Sequence, residues 1–416
     1  MPTPVHIVLD AQYGSVGKGA YAAWLARSKA TRPILAFRTG GPNAGHSIHV
    51  ESRDGATRKV IALRHIPAAA VQRDTLLALP GAALIHIPTL LDEIEQLEAL
   101  GYQVRSRLTI DPLATVIEHD HEKAEQSMRE AIGSTREGVG AAQASKIARG
   151  AGYAPPVVLA RDRRELDPFI GDVRSLVHST VLAGDRGLLQ GKSVHIEMTQ
   201  GVGLGLHFGH YPFATSRDIT PGQALSDCYL SPTNRAASYV VHLLARSYPI
   251  RVAGNSGPFG VPRPRFPVEH RTDNGEREIT WDDLYERTGG YVDRAERTTV
   301  TKLERRIAEW DGEVVARSVQ LTAPQVGVLM FADYVWSGLL AATLEHHGFS
   351  VEATRSVEWR WPTPVLQDLQ LVTSKLWQSG AFDQYREPFL ANGSDLGYVS
   401  WGFGAIVPTP VAGSLL

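Results

Sequence analysis

The feature that most constrains this chain lies in its first twenty residues, where an apolar run meets a glycine-punctuated turn. Val5-His6-Ile7-Val8-Leu9 reads as a short buried strand, and it leads into Gly14-Ser15-Val16-Gly17-Lys18-Gly19. A helix-compatible stretch from Ala20 to Ser28 follows. Then come Arg32-Pro33, a second strand at Ile34 to Phe37, and a tight loop from Thr39 to His46. Strand, turn, helix, strand is the grammar of an α/β fold with a mostly parallel central sheet. A glycine-rich turn between strand and helix offers an anion its backbone N–H groups and the positive end of the helix dipole. Lys18 adds a full charge that can follow a transferring phosphoryl group. The spacing departs from the regular P-loop, and Ala20 supplies no magnesium-binding hydroxyl. By itself the motif fits a structural turn with a solvated lysine equally well.

The rest of the chain extends the same pattern. Thr89-Leu90-Leu91-Asp92 reads as a helix cap, with Leu90, Leu91, Ile94 and Leu97 on one face and Gly101 as the stop. Val194 to Glu197 is a further strand running into Thr199-Gln200-Gly201, and Val326 to Phe331 is a late buried one. Gly254 to Pro267, rich in Gly and Pro, reads as a long surface excursion. No internal repeat or compositional break divides the 416 residues, so a single large domain over 1–416, with long loop elaborations, is expected. A net charge of −2 argues against direct nucleic-acid binding, which wants a basic face. The single cysteine, Cys228, excludes an intramolecular disulfide and a Cys-only zinc site. No apolar run approaches the roughly 18–20 residues that span a bilayer, and a strand at the N-terminus leaves no room for a signal peptide. A cytoplasmic protein without a membrane partner is expected.

Collinear blocks give the glycine turn its meaning. Gln12-Tyr13-Gly14-Ser15-Val16-Gly17-Lys18-Gly19, followed by Gly40-Gly41-Pro42-Asn43-Ala44-Gly45-His46-Ser47, resembles the opening of adenylosuccinate synthetases. Those enzymes typically read Gln-Trp-Gly-Asp-Glu-Gly-Lys-Gly and then Gly-Gly-x-Asn-Ala-Gly-His-Thr. The likeness continues through Ile132 to Thr135, Gly138 to Gly140, Lys146 to Arg149, Glu197 to Gly201, Tyr211 to Ser216, Arg251-Val252, Gly257 to Phe259, and Thr298 to Arg306. These blocks span about three-quarters of the chain.

The resemblance implies a fold related to the P-loop proteins and a C–N ligase working in two steps. The 6-oxo group of a purine monophosphate takes the γ-phosphate of a nucleoside triphosphate, and the amino group of L-aspartate then displaces that phosphate. It assigns the triphosphate to Gly14, Ser15, Val16, Gly17, Lys18, Gly19, Gly45, His46 and Ser47, with Asp333, Ser400 and Gly402 completing the base pocket. It assigns the purine monophosphate to Ser15, Asn43, Ala44, Ser134, Thr135, Gln200 and Thr215, with Arg149 reaching the 5′-phosphate from a partner subunit of a homodimer. Thr298, Thr299, Val300 and Thr301, with Arg305 or Arg306, form the loop that closes on aspartate. Ser15, Lys18 and His46 are the catalytic candidates, His46 as general acid. Magnesium is the implied metal, at Ser15 and the carbonyl of Gly45.

Two departures shift the expectation within the family. Ser15 stands where the family keeps an aspartate that serves as base and metal ligand; a hydroxyl is a poor substitute in both roles. Shortening that side chain opens space beside purine N1, where guanine carries a 2-amino group. The same exchange marks a phage branch of the family, the 2-aminodeoxyadenylosuccinate synthases, which act on dGMP toward 2-aminoadenine DNA. The expected reaction is therefore dGMP, L-aspartate and a triphosphate giving 2-amino-N6-succinyl-deoxyadenylate, in the cytoplasm of an infected cell if the gene is viral. The alternatives are IMP with GTP, or a non-catalytic nucleotide sensor. The second departure is Met330-Phe331-Ala332-Asp333, which lacks the lysine found in GTP-using members. ATP or dATP is favoured as donor, with GTP left open by Asp333.

Overall fold

The structure, a computed structural model, describes residues 2–126, 128–149, 155–182, 192–261, 278–292, 295–298, 302–356, 360–402 and 404–412. Its internal contacts divide the chain into two units, each assembled from separated segments. Met1–Leu9, Lys18–Thr199 and Thr215–Val240 make the first; Asp10–Gly17, Gln200–Ala214 and Val241–Leu416 make the second.

In the first unit, strands β1 (Thr3–Asp10), β2 (Pro33–Arg38), β5 (Leu76–Leu79), β6 (Leu108–Ile110) and β7 (Ser193–Glu197) lie in the order β1-β7-β2-β5-β6, all parallel. A hairpin of β3 (His46–Glu51) and β4 (Arg58–Leu63) stands apart from this order. Every residue of β7 is buried, as expected of a strand covered on both faces. Helix α1 (Lys18–Arg27) begins two residues before the predicted start, because the left-handed Gly17 ends the loop there. It has little amphipathic pattern, and eight of its ten residues are buried; small alanines let it pack on nearly all sides. Helix α2 (Ile87–Ala99) starts at His86 rather than at the predicted Thr89, the imidazole accepting from the Thr89 N–H at 3.4 Å. Its inner face holds Leu90, Ile94 and Leu97, as periodicity predicts, and also Glu93. That carboxylate accepts the backbone N–H groups of Arg64 (2.6 Å), His65 (3.0 Å) and Ile66 (3.0 Å). Hydrophobic periodicity has no term for such a buried acceptor.

In the second unit, strands β8 (Ala237–Arg246), β9 (Val326–Met330), β10 (Leu396–Ser400) and β11 (Ile406–Pro408) run in the order β11-β10-β9-β8, parallel except for the last strand of the chain. A small antiparallel sheet joins Ile250–Arg251, Arg306–Ala308 and Glu278–Ile279. The expected surface excursion holds at Gly254 and Asn255, which are exposed, and is corrected over residues 256–261. Arg251, almost wholly buried, donates to the carbonyls of Ser256 (2.8 Å) and Pro258 (3.0 Å). Phe259 packs edge-on against Tyr13 at 5.6 Å. A buried guanidinium must satisfy its donors, and it does so by folding this segment inward. Residues 262–267 of the excursion lie outside the described residues. Both units are α/β with mostly parallel strands, and among the described residues no helix is long and apolar enough to cross a membrane.

Five of the described histidines of the first unit, His6, His46, His65, His121 and His195, are buried. Burial pulls His6 down to about 4 and His195 down to about 3, below the ordinary 6.5. An unfolded chain takes up protons on these groups below pH 6.5 while the folded one does not. Their stabilising contribution is therefore complete above pH 6.5 and is lost as pH falls toward 4. His6 alone should cost about 3 kcal/mol across that window. Urea unfolding midpoints measured from pH 8 to pH 4 should fall steadily below 6.5; a flat profile would contradict the buried neutral state.

Candidate active site

The glycine-rich turn belongs to the second unit up to Gly17. Gly14, Ser15 and Gly17 all have positive φ (89°, 58° and 80°), while Val16 is buried. Ser15 is the non-glycine among them, and a left-handed L-residue costs roughly 1–2 kcal/mol. What holds it is Arg246, completely buried at the end of β8, whose Nη1 donates to the Ser15 carbonyl at 3.2 Å. The same guanidinium pairs with Glu296 and lies over the Phe331 ring at 3.9 Å. Gln12 fastens the start of the loop to the Arg246 backbone, donating to its carbonyl (3.1 Å) and accepting from its N–H (2.9 Å). A Cβ on Gly17 would sit 2.9 Å from Met330 Cε, so the turn needs a glycine both for its φ and for this approach.

Lys18 and Gly19 open α1 in the first unit, with Lys18 buried. A Cβ on Gly19 would lie 2.7 Å from His46 Cβ and 2.9 Å from the Ser47 carbonyl oxygen. The helix start therefore abuts the backbone of His46 and Ser47. His46 is buried beside a charge cluster. Its Nδ1 is in close contact with Glu197 Oε1, Arg38 Nη1 donates to the same oxygen at 2.8 Å, and the Ala68 N–H donates to Oε2 at 2.7 Å. Glu197 and Arg38 are direct partners in the parallel pairing of β7 with β2. Burial and then the Arg38 charge push His46 down to about 3, against the upward pull of Glu197. Burial pushes the Glu197 carboxyl up, but its contacts with His46 and Arg38 outweigh that and hold it below the usual range. The histidine is thus neutral near pH 7. With the proton on Nδ1 toward the carboxylate, Nε2 carries a lone pair and has no partner among the described residues.

The loop with Asn43, Ala44 and Gly45 is strapped by two arginines. Arg38 Nη2 donates to the Ala44 carbonyl (2.6 Å), and Arg64 Nε donates to that of Pro42 (2.5 Å). Ser134 and Thr135 precede helix α3 (Val139–Ala148), whose first amides are already engaged. Buried Glu125 accepts from the N–H groups of Gly138 (3.0 Å), Gly140 (2.6 Å) and Ala141 (3.1 Å). That helix start is consequently filled by the protein's own carboxylate. Arg149 is the exposed, left-handed C-cap of α3, and Thr215 is half-buried in the first unit. In the second unit Gln200 is buried with φ +54°.

The segment expected to close on aspartate is pinned at its base by Thr298, whose N–H donates to the Leu303 carbonyl (2.8 Å) while its Oγ1 accepts from the Leu303 N–H (3.0 Å). Thr299, Val300 and Thr301 lie outside the described residues. Arg306 forks onto Glu278 at 2.7 and 2.6 Å and donates to the Gly257 carbonyl at 2.8 Å. Arg305 has none of these partners; its own N–H donates to the Glu296 carbonyl at 2.8 Å. Asp333, after β9, is buried, accepts from the Tyr291 hydroxyl at 2.8 Å, and is pushed up to about 6 by burial. Ser400 donates to the Gly402 carbonyl at 2.8 Å.

In the first unit, the structure thus joins the Lys18-Gly19 helix start to His46 and Ser47. In the second, Arg246 and Glu296 link Ser15 to the base of the Thr298 segment. Arg38, Arg246, Glu296 and Tyr291 were not anticipated. Their one visible signal is a charged residue closing an apolar run, as at Arg38 and Arg246.

Residues 7–163 match the family model for adenylosuccinate synthetase. An adenylosuccinate synthetase from Pyrococcus sp. (strain ST700) is 32% identical over 73% of this chain and 84% of its own length. The solved succinoaminodeoxyadenylate synthetase of cyanophage S-2L, bound to dGMP and to dATP as an energy donor, aligns with a TM-score of 0.66. It is 26% identical and covers 100% of this chain and 98% of its own. The adenylosuccinate synthetase of Plasmodium falciparum shares the fold, with a TM-score of 0.58 and 21% identity over 78% of this chain and 76% of its own. Fold and relatives together define a nucleotide-binding C–N ligase. The chain belongs to the adenylosuccinate synthetase family.

The state of His46 is directly measurable. Long-range 1H–15N NMR should show a neutral imidazole protonated on Nδ1 from pH 7 to about pH 4. An imidazolium pattern at pH 6 would contradict the arrangement.

Proposed function

We propose that this ligase joins L-aspartate to C6 of dGMP, giving 2-amino-N6-succinyl-2′-deoxyadenylate, with ATP or dATP as phosphate donor. The observation that carries the reading is Ser15. It sits in a phosphate loop whose left-handed backbone is clamped by Arg246, at the position where the family pattern has an aspartate. The shorter side chain leaves room beside N1 for the 2-amino group of guanine. The likeness to a phage enzyme bound to dGMP and dATP supports the same substrates.

The chemistry follows from the bonds exchanged. As the purine gives up its N1 proton to a phosphate oxygen or water, its O6 attacks the γ-phosphorus, the bond to the β-phosphate oxygen breaks and a nucleoside diphosphate leaves. The aspartate amine then attacks C6, and the C6–O6 bond breaks with release of phosphate. Lys18 and the α1 amides offset charge on the transferring group. His46 begins neutral, so it donates a proton only after gaining one; Glu197 stabilises the imidazolium once formed. Of the two loop arginines, Arg305 is the better candidate for the aspartate carboxylate, because Arg306 already holds Glu278. Asn43, Ala44, Thr135, Gln200 and Thr215 would hold the nucleoside monophosphate, and Asp333 with Ser400 and Gly402 the donor base. By the family pattern, magnesium would draw on the Gly45 carbonyl and the Ser15 hydroxyl, both hard oxygens. This pair fits an ion that binds through few protein atoms, phosphate oxygens and water, and that neutralises triphosphate charge. Arg149, exposed on its helix end, would serve the 5′-phosphate site of a second copy in a homodimer.

The second reading, IMP with GTP, draws on the archaeal relatives, which are adenylosuccinate synthetases. Purified protein given IMP, GMP and dGMP in competition, with aspartate and ATP, should yield mainly the dGMP adduct by mass spectrometry. Turnover of IMP without dGMP would overturn the proposal, and nucleotide binding without aspartate-dependent phosphate release would favour a sensor. Ser15→Asp should lower kcat/KM for dGMP by about tenfold or more, the scale of one misplaced group in a tight pocket. Arg149→Leu should raise KM for the monophosphate; an unchanged KM would remove the shared-site idea.

A further inference from the structure

Asp333 is buried beside groups of specific chemistry. Next to it is Gly402, with φ +103°, where a Cβ would stand 3.4 Å from Trp361 Cζ2 and 3.9 Å from Asp333 Oδ2. A residue without a side chain, an indole edge and a carboxylate thus lie side by side, an arrangement suited to a flat heterocycle carrying an N–H donor. The two carboxylate oxygens are not equivalent. Oδ2 accepts from the Tyr291 hydroxyl at 2.8 Å, whereas Oδ1 is buried without a hydrogen-bond partner among the described residues. Leaving a buried carboxylate oxygen unsatisfied is costly, so the position is built to receive a donor. Tyr291 is itself held in place: its carbonyl accepts from Arg355 at 2.5 Å, and its ring meets Tyr334 edge-on at 6.4 Å.

We propose that Tyr291 sets the donor preference of this enzyme, holding one oxygen of Asp333 so that the carboxylate presents a single acceptor suited to the 6-amino group of adenine. Guanine offers two adjacent donors, N1–H and the 2-amino group, and its full recognition by a carboxylate uses both oxygens side by side. With the phenol on Oδ2, the second donor meets an oxygen already engaged. Adenine needs one acceptor, and Oδ1 supplies it. The inference rests on the reading of Asp333 as the contact to the donor base. It is independent of which monophosphate accepts the phosphoryl group.

The test uses non-hydrolysable imido analogues of ATP, GTP and ITP, titrated calorimetrically into the intact protein at pH 8 with magnesium and no monophosphate. The wild type should bind the adenine analogue about tenfold or more tightly than the guanine analogue, the worth of one hydrogen bond in a buried site. The inosine and guanine analogues should bind equally, because the 2-amino group finds no acceptor. Tyr291→Phe should improve guanine relative to adenine by about tenfold and restore a preference for guanine over inosine. A wild type that favours guanine over inosine by tenfold overturns the inference without any variant, should Tyr291→Phe fail to fold. A Tyr291→Phe ratio within twofold of wild type also overturns it. If no analogue binds, the base-site reading falls and this inference with it, whereas failure of dGMP turnover with normal adenine preference refutes only the proposed acceptor.

Discussion

The first unit of this protein is organised around one buried carboxylate. Glu197 closes an apolar strand, receives Arg38 from the neighbouring strand, accepts the Ala68 amide, and holds the ring of His46. Two buried opposite charges cost several kcal/mol each to desolvate, and they repay it only when every donor and acceptor is met. Removing one member leaves the other unpaired in the interior, at roughly 3–5 kcal/mol. The arrangement is expensive as a stabiliser. It makes sense as a device that fixes one histidine, because the second Arg38 nitrogen also fastens the loop preceding it.

The same economy recurs in the second unit around Arg246. A completely buried guanidinium reaches the Ser15 carbonyl, Glu296 and the Phe331 ring, so a strained left-handed serine is held by a residue more than two hundred positions away. Tyr334 donates to Glu296 at 2.8 Å and extends the network toward Asp333 and Tyr291. The Ser15 turn and the base of the Thr298 segment therefore share one set of polar contacts within that unit, and the Tyr334 ring carries it to Tyr291 and Asp333 by an edge-on contact. A ligase that must meet a triphosphate, a nucleotide and an amino acid in turn gains from such shared support, since a shift at one group is felt by the others.

Much of the fold was legible in the residue order. The strand at Val5 to Leu9, the glycine turn, the helix after it and the strands at Ile34 and Val194 all fall where apolar runs and turn chemistry place them. Boundaries moved where a cap was not a standard one, as at His86, or where a left-handed residue cut a loop short, as at Gly17. The inward packing of residues 256–261 escaped because Gly and Pro signal irregular backbone, not exposure; the buried Arg251 that decides it lies upstream and outside any local pattern.

By itself the sequence determined the family, the glycine turn ending at Lys18, the Asn43 to His46 loop, and the serine on which the proposal of a 2-amino purine rests. Those are local features, written in consecutive residues whose spacing carries the chemistry. Only the tertiary structure decided that His46 rests neutral against Glu197, that Arg306 is already spent on Glu278, and that Tyr291 occupies one oxygen of Asp333. Each depends on burial and on partners at least 28 positions distant in the chain. Desolvation and long-range pairing set protonation and availability, and neither can be read from neighbours in sequence.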